Sequence, residues 1–331
     1  MKKTRGKELI WAVAFVVVAA LLIGLVSTAL RPVRVDYGAV WGPYLAEPKD
    51  SLDYIYLGSS YAYCDVDPAA VYAESGLTGY VLAGPEQTMS QTYWYLKEAL
   101  RTQKPGMVLL EASSLEFERY QNYTQVNVGY MPNGANKLGA ILYASEPELR
   151  LGLLFDLYFY HSRWAEVSLK EAAKAILGRG DDSLKGFTGV DGTFEQITNG
   201  PFIRDVQAEE VYQENLADLG RIVALCREQG VQLVVVSHPT YSQLPAESYE
   251  RIRRDLAGLD PDVVYLDWSN QFEGPGIDPV LHFYDPGHLN RDGAEIFSAW
   301  LGQFLTDALS LTPREQTPEN AAAWRAVAES R

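Results

Sequence analysis

The sequence predicts an α/β protein: a three-layer α/β/α sandwich around a five-stranded parallel sheet, with a largely helical insertion after strand three and an N-terminal transmembrane helix. Three observations carry this. From about residue 50 onward, short apolar runs alternate with longer helical patterns, as parallel strands joined by crossover helices require. Between the third run and the helix before the fourth lie about ninety residues, far more than a crossover needs. Finally, Leu9 to Leu30 is a stretch of 22 positions without a charge.

At about 1.5 Å per helical residue that stretch spans roughly 33 Å, one hydrocarbon thickness. Lys2, Lys3, Arg5 and Lys7 precede it, and Lys/Arg excess stays on the cytoplasmic side, so the bulk of the chain is expected outside the cytoplasm. Ser27 and Ala29 also suit a signal peptide cleaved after Ala29, but the apolar run exceeds the usual signal core. An uncleaved anchor is the preferred expectation. The organisation that follows is a basic cytoplasmic tail (1–8), an anchor (9–30), a linker (31–49), an α/β domain (50–311) with its insertion at 112–206, and a polar tail (312–331).

The first strand is expected at Tyr54 to Leu57, with a helix starting near Pro68. The second is Tyr80 to Ala83, followed by a helix over roughly Thr88 to Thr102 whose Tyr93, Leu96 and Leu100 recur at spacings of three and four. Lys104-Pro105-Gly106 ends it before strand three, Met107 to Leu110. A helix from about Gln207 to Gln229 feeds strand four, Val231 to Ser237, with Gly230 placed for a left-handed cap. Strand five is Val263 to Leu266, and the last core helix runs from near Asn290 to Ala308. In the insertion, Ser145 and Pro147 read as a helix cap and first turn, and Ser168 with Glu171 as a capping box. Phe155, Tyr158, Tyr160 and Trp164 crowd together there, a pattern more typical of core than of a ligand platform, and Gly178 to Gly192 reads as loop. The tail after Thr312, with a short helix near Asn320 to Ala328, is expected to be peripheral.

A net charge of −15 excludes a general nucleic-acid binder, which needs clustered Lys and Arg. Removing residues 1–8 leaves −18 on the remainder. Cys64 and Cys226 are too few for a disulfide framework or a structural zinc site, although one bridge between them stays open. No carboxylate cluster has calcium-loop spacing, so neither metal nor cofactor is expected. Asp181-Asp182 and Glu209-Glu210 read as solvated surface.

Open parallel sheets bind ligands at the carboxyl ends of their strands. After strand one stands Gly58-Ser59-Ser60, a tight turn that would lift a serine hydroxyl into the crevice, before a helix whose amides can face an anion. Near the other end, Phe283-Tyr284-Asp285-Pro286-Gly287-His288-Leu289-Asn290 places Asp285 and His288 three apart at a loop-to-helix junction. There a carboxylate can hold one imidazole nitrogen while the other faces the crevice.

With YLGSS at 56–60, DPGHLN at 285–290 and Gly293 following, the chain resembles the SGNH/GDSL hydrolase superfamily over residues 50–111 and 207–308. It looks most like the membrane-anchored branch that includes the D-alanine transfer protein of teichoic acid synthesis and the alginate O-acetyltransferases. The resemblance implies a flavodoxin-like strand order, Ser60 as nucleophile, His288 as general base and Asp285 as orienting acid. Two departures stand out. Ser59 occupies the place of the superfamily's usual Asp, and Leu110-Glu111-Ala112-Ser113 replaces the Gly-x-Asn that helps to bind the oxyanion. Backbone amides of Ser60 and, by analogy with the family's glycine block, Gly84 are then the expected oxyanion donors.

Other residues carry weaker expectations as substrate contacts. His238, after strand four, can touch substrate or serve as base in place of His288. Glu111 ends strand three and faces the same region, or simply caps or pairs locally. His161 and Arg163 in the insertion can shape an acceptor site, or His161 can be structural. Nothing around Cys64 suggests a lowered thiol pKa. The expected function is extracytoplasmic serine acyl transfer on acyl esters of a cell-envelope glycan, as O-acyltransferase or esterase; the anchor favours transfer, with a multi-span membrane O-acyltransferase as donor-side partner implied by the resemblance. The alternative is a non-catalytic envelope protein that keeps the fold to bind glycan or scaffold.

Overall fold

The computed structural model describes residues 2–31, 40–177, 184–194 and 201–330. Five strands form the main sheet: β1 (Tyr54–Gly58), β2 (Gly79–Ala83), β3 (Met107–Glu111), β5 (Gln232–Ser237) and β7 (Val264–Asp267). Two-residue strands β4 (Phe202–Ile203) and β6 (Ser242–Gln243) pair separately. The main order is β2-β1-β3-β5-β7, every neighbouring pair parallel. Over the five main strands this is the 2-1-3-4-5 order. Tyr54 pairs with Gly79 on one side and Met107 on the other, so the strands end in register and their carboxyl ends share one edge.

Side chains alternate across the sheet, as strand pleating demands. Ile55, Leu57, Val108, Leu110 and Val235 join one buried cluster; Tyr54, Tyr56, Met107, Leu109, Val234 and Val236 join another. The first is covered by α5 (Met89–Ala99), α11 (Glu209–Gln229) and α12 (Ala246–Leu259), the second by α3 (Ser60–Asp65), α4 (Pro68–Ser75) and α13 (Arg291–Asp307). That is the three-layer sandwich. Helix limits follow local chemistry: Asp67 caps α4 by accepting the Ala69 N–H, with Pro68 in the first turn, Thr88 and Gln91 form a capping box on α5, and Gly230 takes the left-handed cap of α11. The short α3 and the whole of α12 have no counterpart in the sequence reading.

After β3 comes a 3₁₀ turn (Ala112–Glu116), then α6 (Thr124–Gly129), α7 (Ala135–Tyr143), α8 (Arg150–Leu154), α9 (Asp156–Tyr160), a second 3₁₀ turn (His161–Ala165) and α10 (Leu169–Leu177). The Ser168–Glu171 capping box is present. Ser145 is no cap: its hydroxyl donates to the Ile141 carbonyl 2.6 Å away, closing α7. The aromatic crowd is not core either. Tyr160 is buried, but Phe155, Tyr158 and Trp164 are exposed, because their helices lie beside the apolar N-terminal helix α1 (Lys2–Leu30) rather than over the sheet. Asp181 and Asp182 fall outside the described residues, as does part of the loop expected over 178–192; Glu209 and Glu210 are exposed on α11.

The segment expected as a linker and the tail expected to be peripheral both reach the core. Within the linker, α2 (Trp41–Ala46) buries Trp41 and Tyr44, and the Tyr44 hydroxyl donates to the Ala99 carbonyl at 3.0 Å. At the other end, α14 (Pro318–Glu329) lies on α4 and inserts Trp324, fully buried, against Tyr72. Arg314 pairs with the buried Asp53 at 3.0 Å. Polar composition concealed one apolar anchor and one ion pair. Replacing Trp324 with Ala is therefore expected to cost about 3–5 kcal/mol, read as a lowered urea midpoint; an unchanged midpoint would return the tail to the periphery.

Candidate active site

The site begins where β1 ends. Gly58 has φ of 151°, and a Cβ there would lie 2.7 Å from the Glu111 Cβ, so only glycine lets the chain turn this close to β3. Ser59 follows, fully buried, its hydroxyl donating to Glu111 Oε2 at 3.2 Å and lying 3.1 Å from the Ser113 hydroxyl. Glu111 also accepts the Ser113 amide at 2.7 Å and the Ser113 hydroxyl at 2.6 Å. Burial raises its carboxyl above the usual range, and these hydrogen bonds oppose the rise. Glu111 thus fixes the turn before Ser60 rather than facing open solvent. Ser59 is one half of this clamp.

Ser60 opens α3, and no side chain caps that helix. Its first amides have no intrahelical acceptor, and the Ser60 side chain stands partly exposed at the strand-end edge. Gly84 lies just after β2, buried against α6: a Cβ there would meet Asn127 Oδ1 at 2.1 Å. Close packing with Asn127 is a reason for glycine at this position independent of any anion.

The opposite wall is the loop between Phe283 and Leu289, which pair in an antiparallel bridge. The Pro286 carbonyl accepts the Ser242 amide at 2.7 Å, and Asn290 caps α13 by accepting the Gly293 N–H at 3.0 Å. Inside the loop, Asp285 Oδ1 accepts the amides of Gly287 and His288 at 2.7 and 2.8 Å. The same carboxylate lies 2.9 Å from His288 Nδ1. Burial alone would raise the Asp285 carboxyl, but the hydrogen bond and charge of His288, with those two amides, hold it below the usual carboxylate range. A carboxylate only accepts, so Nδ1–H donates to Asp285, and in the neutral imidazole this leaves Nε2 as an acceptor. It lies 2.8 Å from Ser60 Oγ.

Three residues from opposite ends of the domain thus form one hydrogen-bonded chain, with the geometry of a nucleophile, a base and an orienting acid. Tyr61 stacks on the His288 ring at 4.8 Å between centroids; burial pushes its phenol up to about 12, so it stays protonated at neutral pH. Asp65 takes part from below: Oδ1 accepts the Leu289 amide at 2.9 Å, next to His288, while Oδ2 lies 3.1 Å from His238 Nδ1. Neither Tyr61 nor Asp65 was singled out from the sequence, because nothing local marks a residue whose partner lies more than two hundred positions away.

His238 is buried, with Nε2 against the Tyr56 hydroxyl and Nδ1 against Asp65. Desolvation drives its pKa down to about 3 and raises that of Asp65. Both nitrogens are engaged away from Ser60, so the structure offers His288, not His238, as the serine's partner. A cavity of about 20 Å³ nearby is lined by Tyr61, Glu111, Arg204, His238 and Tyr249 among others, room for about one water. His161 and Arg163 lie on the α1 side of the insertion: His161 Nδ1 meets the Tyr158 carbonyl at 2.9 Å, and Arg163 donates to the Leu30 carbonyl. The structure gives them those partners instead of Ser60, Asp285 or His288. Cys64 and Cys226 are both free and buried, and burial pushes both thiols up.

No protein-family model matches the chain, and the search of curated proteins returns no match. Among solved structures, the chain is similar to a Bacteroides fragilis protein described as a "putative acylhydrolase", with 10% identity, a TM-score of 0.41, and coverage of 82% of this chain and 95% of that one.

Asp285→Asn keeps the shape of the loop but removes the charge that selects the imidazole tautomer. It is expected to lower kcat on an activated ester by about 10³–10⁴-fold with little change in KM. A loss below tenfold would mean that Asp285 does not orient His288.

Proposed function

We propose that this chain is an extracytoplasmic serine acyl-transfer enzyme acting on acyl esters of a cell-envelope glycan. The observation that carries the reading is the 2.8 Å contact of Ser60 Oγ with His288 Nε2, backed by Asp285 on Nδ1. Ser60 Oγ attacks the ester carbonyl as its proton passes to Nε2, and the carbonyl π electrons move to oxygen to give a tetrahedral oxyanion. Amides at the start of α3, with Gly84 as second candidate, are the proposed donors to that oxygen. Collapse breaks the bond to the leaving alcohol, which takes the proton from Nε2 and leaves an acyl-Ser60 ester. Water or a sugar hydroxyl, deprotonated by the same imidazole, then attacks the acyl carbon and frees Ser60. Water makes the enzyme an esterase, a hydroxyl an O-acyltransferase.

The location is part of the proposal. Helix α1 contains a candidate span, Gly6–Leu30, with only Ser27 and Leu30 buried near its C-terminal end, and four basic residues lie at its N-terminal end. As a retained anchor it leaves residues 40–330 outside the cytoplasm. Held there, the site is positioned for a donor delivered across the membrane by a multi-span O-acyltransferase, the partner that the family resemblance suggests.

Treating the full-length protein in detergent with a fluorophosphonate is expected to label Ser60. Ser60→Ala should abolish labelling, and His288→Ala should slow it by about 10⁴–10⁶-fold. Undiminished labelling of Ser60→Ala would remove the nucleophile and the function with it. Supplying an oligosaccharide acceptor then separates transfer from hydrolysis by whether acylated sugar or free acid accumulates.

A further inference from the structure

The insertion carries an apolar surface that the catalytic reading does not use. Leu151 and Phe155 near α8, Tyr158 on α9, Trp164 in the second 3₁₀ turn and Leu169 and Leu177 at the ends of α10 are each more than half exposed, Leu169 at 92%. In α10, Leu169, Ala173, Ile176 and Leu177 fall along one stripe of the helix, with Lys170, Glu171 and Lys174 on the other. No residue of α10 is buried. Exposed leucines and aromatics on this scale, grouped on one surface of an otherwise acidic protein, mark a binding face.

What covers that face follows from what it adjoins. Helices α9 and α10 and the 3₁₀ turn between them all pack against α1. Arg163, next to Trp164, donates to the carbonyl of Leu30, the last residue of α1, and Arg31 donates to the Met131 carbonyl at 3.4 Å and to Asn133 Oδ1 at 3.2 Å. Since α1 is uncharged from Leu9 to Leu30, whatever packs against its C-terminal part lies at the level where the span leaves the hydrocarbon. That level favours Trp and Tyr at headgroup depth and short amphipathic helices lying in the membrane plane, with lysines reaching up to the headgroups.

We propose that the α8–α10 surface is a membrane-docking face, seated in the outer interfacial layer of the bilayer that α1 crosses, with lipid as its occupant. It rests on the reading of α1 as a retained anchor, and it is independent of the chemistry at Ser60. Two attachments, one spanning and one lying flat, fix the orientation of the domain over the membrane, where a single flexible tether would let it tumble.

The test uses the full-length protein reconstituted into phosphatidylcholine vesicles, with an NBD fluorophore on single cysteines introduced as Leu151→Cys, Phe155→Cys or Leu169→Cys. Leu22→Cys in α1 reports the span, and Glu250→Cys on the exposed side of α12 reports solvent. Lipids bearing a nitroxide on the acyl chain are expected to quench the three insertion sites at least twofold, as they quench Leu22→Cys, and to leave Glu250→Cys unchanged. Insertion sites that behave like Glu250→Cys while Leu22→Cys is quenched would overturn the docking face and leave the anchor standing. Blue-shifted emission without lipid quenching would assign the face to a protein partner, overturning lipid as occupant. A Leu22→Cys probe that lipid fails to quench would overturn the anchor and the docking face together.

Discussion

The hydrogen bond between His288 Nε2 and Ser60 Oγ joins residues 228 positions apart, and much of the fold serves to make it possible. One end is set by β1, which must finish level with β3 for Gly58 to pass against Glu111. The other is set by the Asp285–Leu289 loop, pinned by its own amides, by Ser242 and by the capped start of α13. A hydrogen bond requires heavy atoms within about 3.2 Å, so a small displacement of either wall would break it. The buried Asp65 addresses this demand by holding the Leu289 amide from α3, the helix that Ser60 begins. Ser60 and the segment that carries His288 are thus referenced to the same short helix.

Two Asp–His pairs lie close together, and their environments separate their roles. Asp285 and His288 are partly exposed, and the carboxyl is held low by its hydrogen bonds. That supports an ionised Asp285 carboxylate beside His288 Nδ1. Asp65 and His238 are buried, and desolvation drives the acid up and the base down, so burial favours the pair without charge. The same two residue types form a partly exposed pair at the rim and a buried strut beneath it, distinguished by solvent.

The sheet was legible because buried parallel strands read as short continuous apolar runs, and all five were found within a residue or two of their ends. That Ser60, Asp285 and His288 lie together was legible because they follow a strand or precede a helix at the one edge where the topology gathers the strand ends. What escaped depended on long-range contact. The helix Ser60–Asp65 is too short for periodicity to reveal. Glu111 reads as any carboxylate until Ser59 and Ser113 are seen around it. Trp324 sits in a polar tail that owes its place to Tyr72 and to the Arg314–Asp53 pair. The aromatic residues around Phe155 looked like core because the sequence alone does not reveal that their neighbour is α1 rather than the sheet.

The proposed function requires Ser60 to become an acyl carrier. The most direct measurement is peptide mass spectrometry of the full-length protein, acid-quenched after brief exposure to p-nitrophenyl acetate. The expected result is a single acetyl group on the peptide containing Ser60, lost on longer incubation with water or a sugar acceptor. Acetyl on another side chain, or none on Ser60 while the protein remains folded, would contradict it.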